Sequence, residues 1–271
     1  MTIKIESSGK ELSSLGGLLI AKALMGRTCL EEAVLPSLPL LSSGSRRSWD
    51  KFQALSLGFV AGADCLDDMA VFAQDKGFLE VADHADYSPK AFGDFLRSFN
   101  PVQIRGIQTA LIGFAYSLRS SLGTSESMVF DFDSTSNEQH GLKIEGVEFN
   151  YKQINCLDTF QVFDERGIQY WNEVRPGATS SASNVASVIH QILSKKPDTK
   201  PFKKLKVFAR GDSAFCNLEF FNGCSAKGVG FVCTMRQNMF EPHQHKILHW
   251  HATNRSKRPS SRKSKRGFNN C

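Results

Sequence analysis

The spacing of hydrophobic residues changes near residue 122, and the change divides the chain. Up to there they recur at helical intervals. Leu15 to Leu24 predicts a short apolar helix, while Phe52 to Ala61 and Cys65 to Phe72 predict a tight helix pair around the joint Gly62-Ala63-Asp64. Two further helices carry start signals: Ser88 before Pro89, and Asn100 before Pro101, each set a capping side chain ahead of a proline at the first helical position. The second of these is expected to run to about Ser117.

Beyond the Ser- and Gly-rich stretch 117–127 (SLRSSLGTSES), read as a linker, the pattern becomes that of strands, over 128–133, 147–151, 156–164 and 168–174. A helix over 182–194, a strand over 205–209, a helix over 218–226 and a strand over 229–235 follow. Mostly antiparallel strands, then helix, strand, helix, strand, is the order of an RNase H-like α/β fold with a mixed sheet and flanking helices. The expected organisation is an all-helical region at 1–122, the α/β domain at 123–241, and a tail at 242–271.

Composition adds three constraints. With 271 residues and 41% hydrophobic content the chain can build a real core, and no apolar run approaches the roughly 18 residues of a membrane span. The N-terminal MTIKIESSGKELSS lacks the basic-then-apolar order of a secretory signal, so a cytoplasmic protein without a membrane partner is expected. Seven scattered cysteines without a C-x-x-C pair argue against a zinc or redox motif and are expected to be mostly buried thiols. The basic excess is concentrated at the end, where residues 242–271 contain eight Lys and Arg and no acid. Such a segment is either a solvated end or a binder of nucleic-acid phosphates. Four of the seven histidines (His243, His245, His249, His251) lie in it as H-x-H pairs, with no flanking element predicted to fix them as metal ligands.

Three short-jointed helices between Asp64 and Phe99 fit a helix-turn-helix, whose last member would bring Lys90 and Arg97 to DNA. They equally fit an ordinary helix triplet. The strand MVFDFDST (128–135) is more unusual, because alternation puts Asp131 and Asp133 on one face and Phe130 and Phe132 on the other. A second apolar strand leads to Asp212 in LKVFARGDSAF (205–215). If the two strands are neighbours, Asp133 and Asp212 meet, and hard divalent cations seek oxygen ligands of this kind. The same acids would also suit an exposed strand end and the N-cap of a following helix.

Taken in order, DFDST (131–135), HGLKIEG (140–146), RPG (175–177) and ARGDSAF (209–215), together with AGADCLDD (61–68) and SPKAFGDFLRSF (88–99), resemble the DDE transposases of bacterial insertion sequences. The resemblance covers most of residues 50–240. It implies a helical DNA-binding region followed by an RNase H-like catalytic domain that cuts and joins DNA with Mg²⁺ or Mn²⁺. It further implies double-stranded DNA (element ends and target) as partner, a homodimer on DNA, and a nucleoid-associated bacterial location. Carried over, Asp133 and Asp212 are the first two catalytic acids and metal ligands, Asp131 an auxiliary metal ligand, and His140 and Arg175 phosphate contacts beside Lys90 and Arg97. One departure stands out. The family's third acid, usually a Glu on a later helix, has no counterpart except Glu241, which directly precedes Pro242. The α/β domain is therefore expected to be incomplete, as in an interrupted frame or truncated element, and the protein weak or inactive alone. The alternative is a non-catalytic DNA-binding protein or regulator derived from a transposase.

Overall fold

In this computed structural model the described residues are 13–41, 44–83, 85, 87–123, 125–141, 143–235, 239 and 241–242. The chain divides into a unit ending at Thr234 and a second beginning at Met235. The basic tail and its four histidines lie outside the described residues, apart from Pro242 at its start.

Seven helices precede the sheet: α1 (Leu18–Arg27), α2 (Leu30–Val34), α3 (Ser45–Ala61), α4 (Asp68–Phe72), α5 (Lys76–Val81), α6 (Pro89–Arg97) and α7 (Pro101–Ser121). The two proline starts form as expected. Ser88 Oγ accepts from the Ala91 N–H at 3.3 Å, and Asn100 Oδ1 accepts from Val102 and Gln103 while the Gln103 side chain accepts from the Asn100 N–H. Trp49, Leu57, Met69, Phe78, Phe92 and Phe95 are buried together in the helical core. No helix among the described residues is long and apolar enough to cross a membrane.

One expected boundary moves. α7 continues to Ser121, absorbing the first part of the stretch read as a linker. The reason is packing: Ile107, Ala110 and Phe114 lie against the helical core, whereas Ile112, Ala115 and Tyr116 belong to the core under the sheet. Arg119, fully buried in the next turn, donates from Nη1 to Asp164 and from Nη2 to Glu165, both at 2.6 Å. A helix that satisfies two cores has no reason to stop between them.

The sheet contains β1 (Ser127–Glu138), β2 (Glu148–Phe149), β3 (Asn155–Asp164), β4 (Gln169–Pro176), β5 (Lys206–Gly211) and β6 (Gly230–Cys233). β3 pairs antiparallel with β1, and on its other side with β2 and β4. β5 runs parallel to β1, and β6 parallel to β5. This is the RNase H-like arrangement, an antiparallel part, here β1 to β4, extended by two parallel strands. The crossovers are helical: α8 (Val185–Ser194) and the short α9 (Lys200–Lys203) lead into β5, and α10 (Leu218–Ala226) leads into β6. One face of β1 supplies Met128, Phe130 and Phe132 to the core, where Phe132 meets Phe160, Phe215 and Phe220.

β3 buries two acids, Asp158 and Asp164, on the same face as Phe160 and Val162. Asp164 is held by Arg119. Asp158 accepts from Arg175 Nε at 2.8 Å and Nη2 at 2.5 Å, and the same guanidinium donates to the carbonyls of Ser181 and Ser183 and lies over the Phe160 ring. Two residues on, Gly177 is packed so closely that a Cβ would stand 2.0 Å from the Cys156 carbonyl oxygen and 2.7 Å from that of Glu148. Gly177→Ala should therefore lower the unfolding free energy by about 3 kcal/mol, read as a lower urea midpoint at unchanged slope.

The cysteines only partly match expectation. Cys156, Cys216 and Cys224 are buried, but Cys29 and Cys65 are exposed and Cys233 is intermediate. Burial pushes the Cys224 thiol up to about 12 and, reinforced by Cys216, the Cys233 thiol up to about 11.

Candidate active site

β1 and β5 run side by side in parallel, with Phe130 opposite Ala209, Asp131 opposite Arg210 and Phe132 opposite Gly211. Asp133 and Asp212 are the next residues along the two strands. Neighbouring strands lie about 4.8 Å apart, so the two backbones deliver these acids at adjoining positions. They share a face as well. Asp133 follows the alternation of Asp131, away from the buried Phe130 and Phe132, and Asp212 keeps the extended backbone of β5, with φ −76° and ψ −168°, two residues after Arg210.

Both carboxylates are exposed. Asp212 Oδ1 caps the 3₁₀ turn Ser213–Phe215 by accepting from the Ala214 N–H at 2.8 Å, which orients the side chain. Asp133 Oδ2 accepts only a long bond from the Thr135 hydroxyl, 3.4 Å. Among the described residues no cation pairs with either. Two exposed carboxylates without a cation partner among the described residues suit a hard divalent ion. Among the described residues no cluster of three or more His, Cys, Asp or Glu completes such a site. Glu241 belongs to the unit that begins at Met235.

Asp131 differs from the sequence reading. Its carboxylate is gripped from both sides by Arg210, whose Nε donates to Oδ1 and Nη2 to Oδ2, the latter at 2.7 Å. The hydrogen bonds and charge of Asp131 in turn hold the Arg210 pKa above the usual arginine value. Asp131 is thus paired with a neighbouring cation, one row below the Asp133–Asp212 pair. Sequence reasoning missed Arg210, although alternation back from Asp212 places it on the face toward which Asp131 points.

The remaining residues are dispersed. Lys90 and Arg97 are exposed on α6, both tied to Asp94, at 3.0 and 2.7 Å, and together they lower its pKa, the Arg97 hydrogen bond being the largest cause. His140 is exposed beyond the end of β1. Five residues at about 3.3 Å each carry that strand some 17 Å past Asp133 before it ends, so His140 is not brought to the acid pair. Arg175, read from sequence as a phosphate contact, is a buried structural cation whose guanidinium is consumed by Asp158 and two carbonyls.

The family profile described as "Transposase DDE domain group 1" matches residues 1–270. The chain belongs to this DDE transposase family. No curated protein is similar enough to count as a relative. Among solved structures, a Mos1 transposase paired-end complex with the left transposon end is 11% identical, covering 67% of this chain and 57% of that one, with a TM-score of 0.27. The Mos1 mariner paired-end complex with Mn is 12% identical over 86% of this chain and 83% of that one, with a TM-score of 0.29. A pre-cleavage Mos1 transpososome is 10% identical, covering 87% and 85%, with a TM-score of 0.28. The chain thus spans little more than half the length of the first of these, and at such TM-scores the likeness carries no further argument. Family membership rests on the profile.

Proposed function

We propose that this chain is a transposase that binds double-stranded DNA and uses Asp133 and Asp212 to hold Mg²⁺ or Mn²⁺ against a phosphodiester, acting on DNA as a homodimer. The observation that carries the reading is the delivery of two exposed carboxylates, with no cation partner among the described residues, from positions 79 apart in sequence to adjoining positions where the β1–β5 pairing ends. A bound divalent ion would polarise the phosphate and favour attack by a hydroxyl. The protein's own contribution is placement: β1 and β5 fix the spacing, the Ala214 N–H orients Asp212, and the Asp131–Arg210 pair locks the register one row below. Lys90 and Arg97 on α6 are the proposed contacts of the helical region with DNA, with His140 a separate phosphate contact.

With no third acid beside the pair among the described residues, strand cleavage by this chain alone should be weak or absent. That absence favours a second reading, a DNA-binding regulator of transposase descent. Mn²⁺ binding followed by electron paramagnetic resonance tests the first. Asp133→Asn and Asp212→Asn should each weaken Mn²⁺ binding at least tenfold, and equal affinity in wild type and both variants would overturn the assignment. Mg²⁺-dependent cleavage of DNA carrying element ends separates enzyme from regulator, a gel shift without cleavage favouring the regulator.

A further inference from the structure

The strands that deliver Asp212 begin at a surface of opposite charge. Residues 195–206 (KKPDTKPFKKLK) contain six lysines and one acid, Asp198, and that acid is bridged to Lys203 at 3.1 Å. The segment connects α8 to β5. Alongside it, the turn from α10 to β6 adds Lys227, followed by Gly228 and Gly230. Lys196, Lys206 and Lys227 line one open recess of about 520 Å³. Among the described residues no carboxylate lines it. Lys206 and Lys227 are exposed, and Lys196 is partly buried, its ammonium donating to the Phe202 carbonyl at 3.2 Å.

Within β5, side chains alternate so that Lys206, Phe208, Arg210 and the following Asp212 share the sheet face opposite the core. The lysine recess therefore lies at the opposite end of the same strand from the acid pair. Six residues at about 3.3 Å each set the separation on the order of 20 Å. Successive phosphates on one DNA strand lie about 3.4 Å apart along the helix axis, so a duplex held at the acids would present its backbone at the lysines about six base pairs away.

We propose that Lys196, Lys206 and Lys227 form a second contact surface for the sugar-phosphate backbone of duplex DNA, separate from α6 and from the acid pair. This rests on the DNA-binding reading above. Ammonium groups on flexible stems attract phosphate as point charges and carry no base readout, so the surface adds grip without sequence preference. The charge, spread over a dozen residues with Lys195, Lys200 and Lys204 on its flank, matches an extended polyanion and not a compact one.

The test is salt-titrated binding of the full chain to a mixed-sequence duplex, followed by fluorescence anisotropy between 50 and 200 mM KCl. Each lost phosphate contact lowers the slope of log K against log salt by about 0.9. The triple variant Lys196→Gln, Lys206→Gln, Lys227→Gln should lose between about 2 and 3 from that slope and bind at least tenfold more weakly at 100 mM, equally on unrelated sequences. Lys206→Gln and Lys227→Gln singly, both at exposed positions, should each lose about 1, which secures the result if the triple variant folds poorly. The triple arginine variant should retain the wild-type slope. Removing Lys143 and Lys152, in the turns between β1 and β3, should leave the slope unchanged. A wild type that binds duplex with a slope the glutamine variants do not alter overturns the surface alone. A wild type that binds no duplex overturns both the surface and the reading on which it rests.

Discussion

Arg119→Met should destabilise the protein by about 3–5 kcal/mol, because it leaves Asp164 buried without a cation and removes the partner of Glu165. Burial works against the charge of Arg119, but hydrogen bonds to Glu165 and Asp164 outweigh it and raise its pKa, so the guanidinium stays charged at any working pH. Urea denaturation at pH 7 measures the loss. Adding Asp164→Leu to Arg119→Met should recover only part of it, since the buried charge goes but Glu165 stays without its arginine and the N–H groups of Arg166 and Ile168 lose their acceptor. The acid limb gives an independent check. Burial raises the Glu165 pKa, but the Arg119 side chain and the Val129 N–H together overcome it and hold that carboxyl below its ordinary value. A depressed carboxyl contributes stability above its unfolded pKa and loses it as pH falls through the folded one. The wild type should therefore weaken on acidification below about pH 4.5, and Arg119→Met should show a shallower fall there.

Arg175→Met should cost a similar amount, about 3–5 kcal/mol, and should do so without touching the acid pair. Asp158 would lose both guanidinium bonds and keep only Ser134 Oγ, while the carbonyls of Ser181 and Ser183 would lose their donor. Chemical denaturation reads the loss of stability. Mn²⁺ affinity measured in conditions where the variant remains folded should stay within a few-fold of wild type, which distinguishes a structural arginine from one that contacts phosphate beside the metal. A large loss of Mn²⁺ or DNA affinity in the folded variant would return Arg175 to the site.

What could be read in advance follows the range of the interactions. Ser88 and Asn100 announce their helices because a cap acts within three residues, and the facing of Asp131 and Asp133 follows from the pleat alone. The spacing of strands and helices after residue 127 suffices for the mixed sheet. The buried ion pairs escape such a reading. Arg119 sits in a serine-rich run that looks like a joint, and its partners come 45 and 46 residues later. Asp158 and Asp164 look like the polar members of an amphipathic strand until the alternation along β3 puts them on the inner face. Arg210 required knowing that β1 and β5 are parallel neighbours in one particular register, information that no local pattern holds.

Because α7 contributes to both cores, the helical region is not a detachable module. An exchange between elements that joined a foreign helical part at residue 122 would bring in a different residue where Tyr116 packs on Tyr170 and would strip Asp164 of its counter-charge. The viable seam for swapping specificity lies upstream of Pro101, so that α7 is inherited with the sheet, and chimeras built at that joint should fold where those built at the Ser/Gly stretch do not.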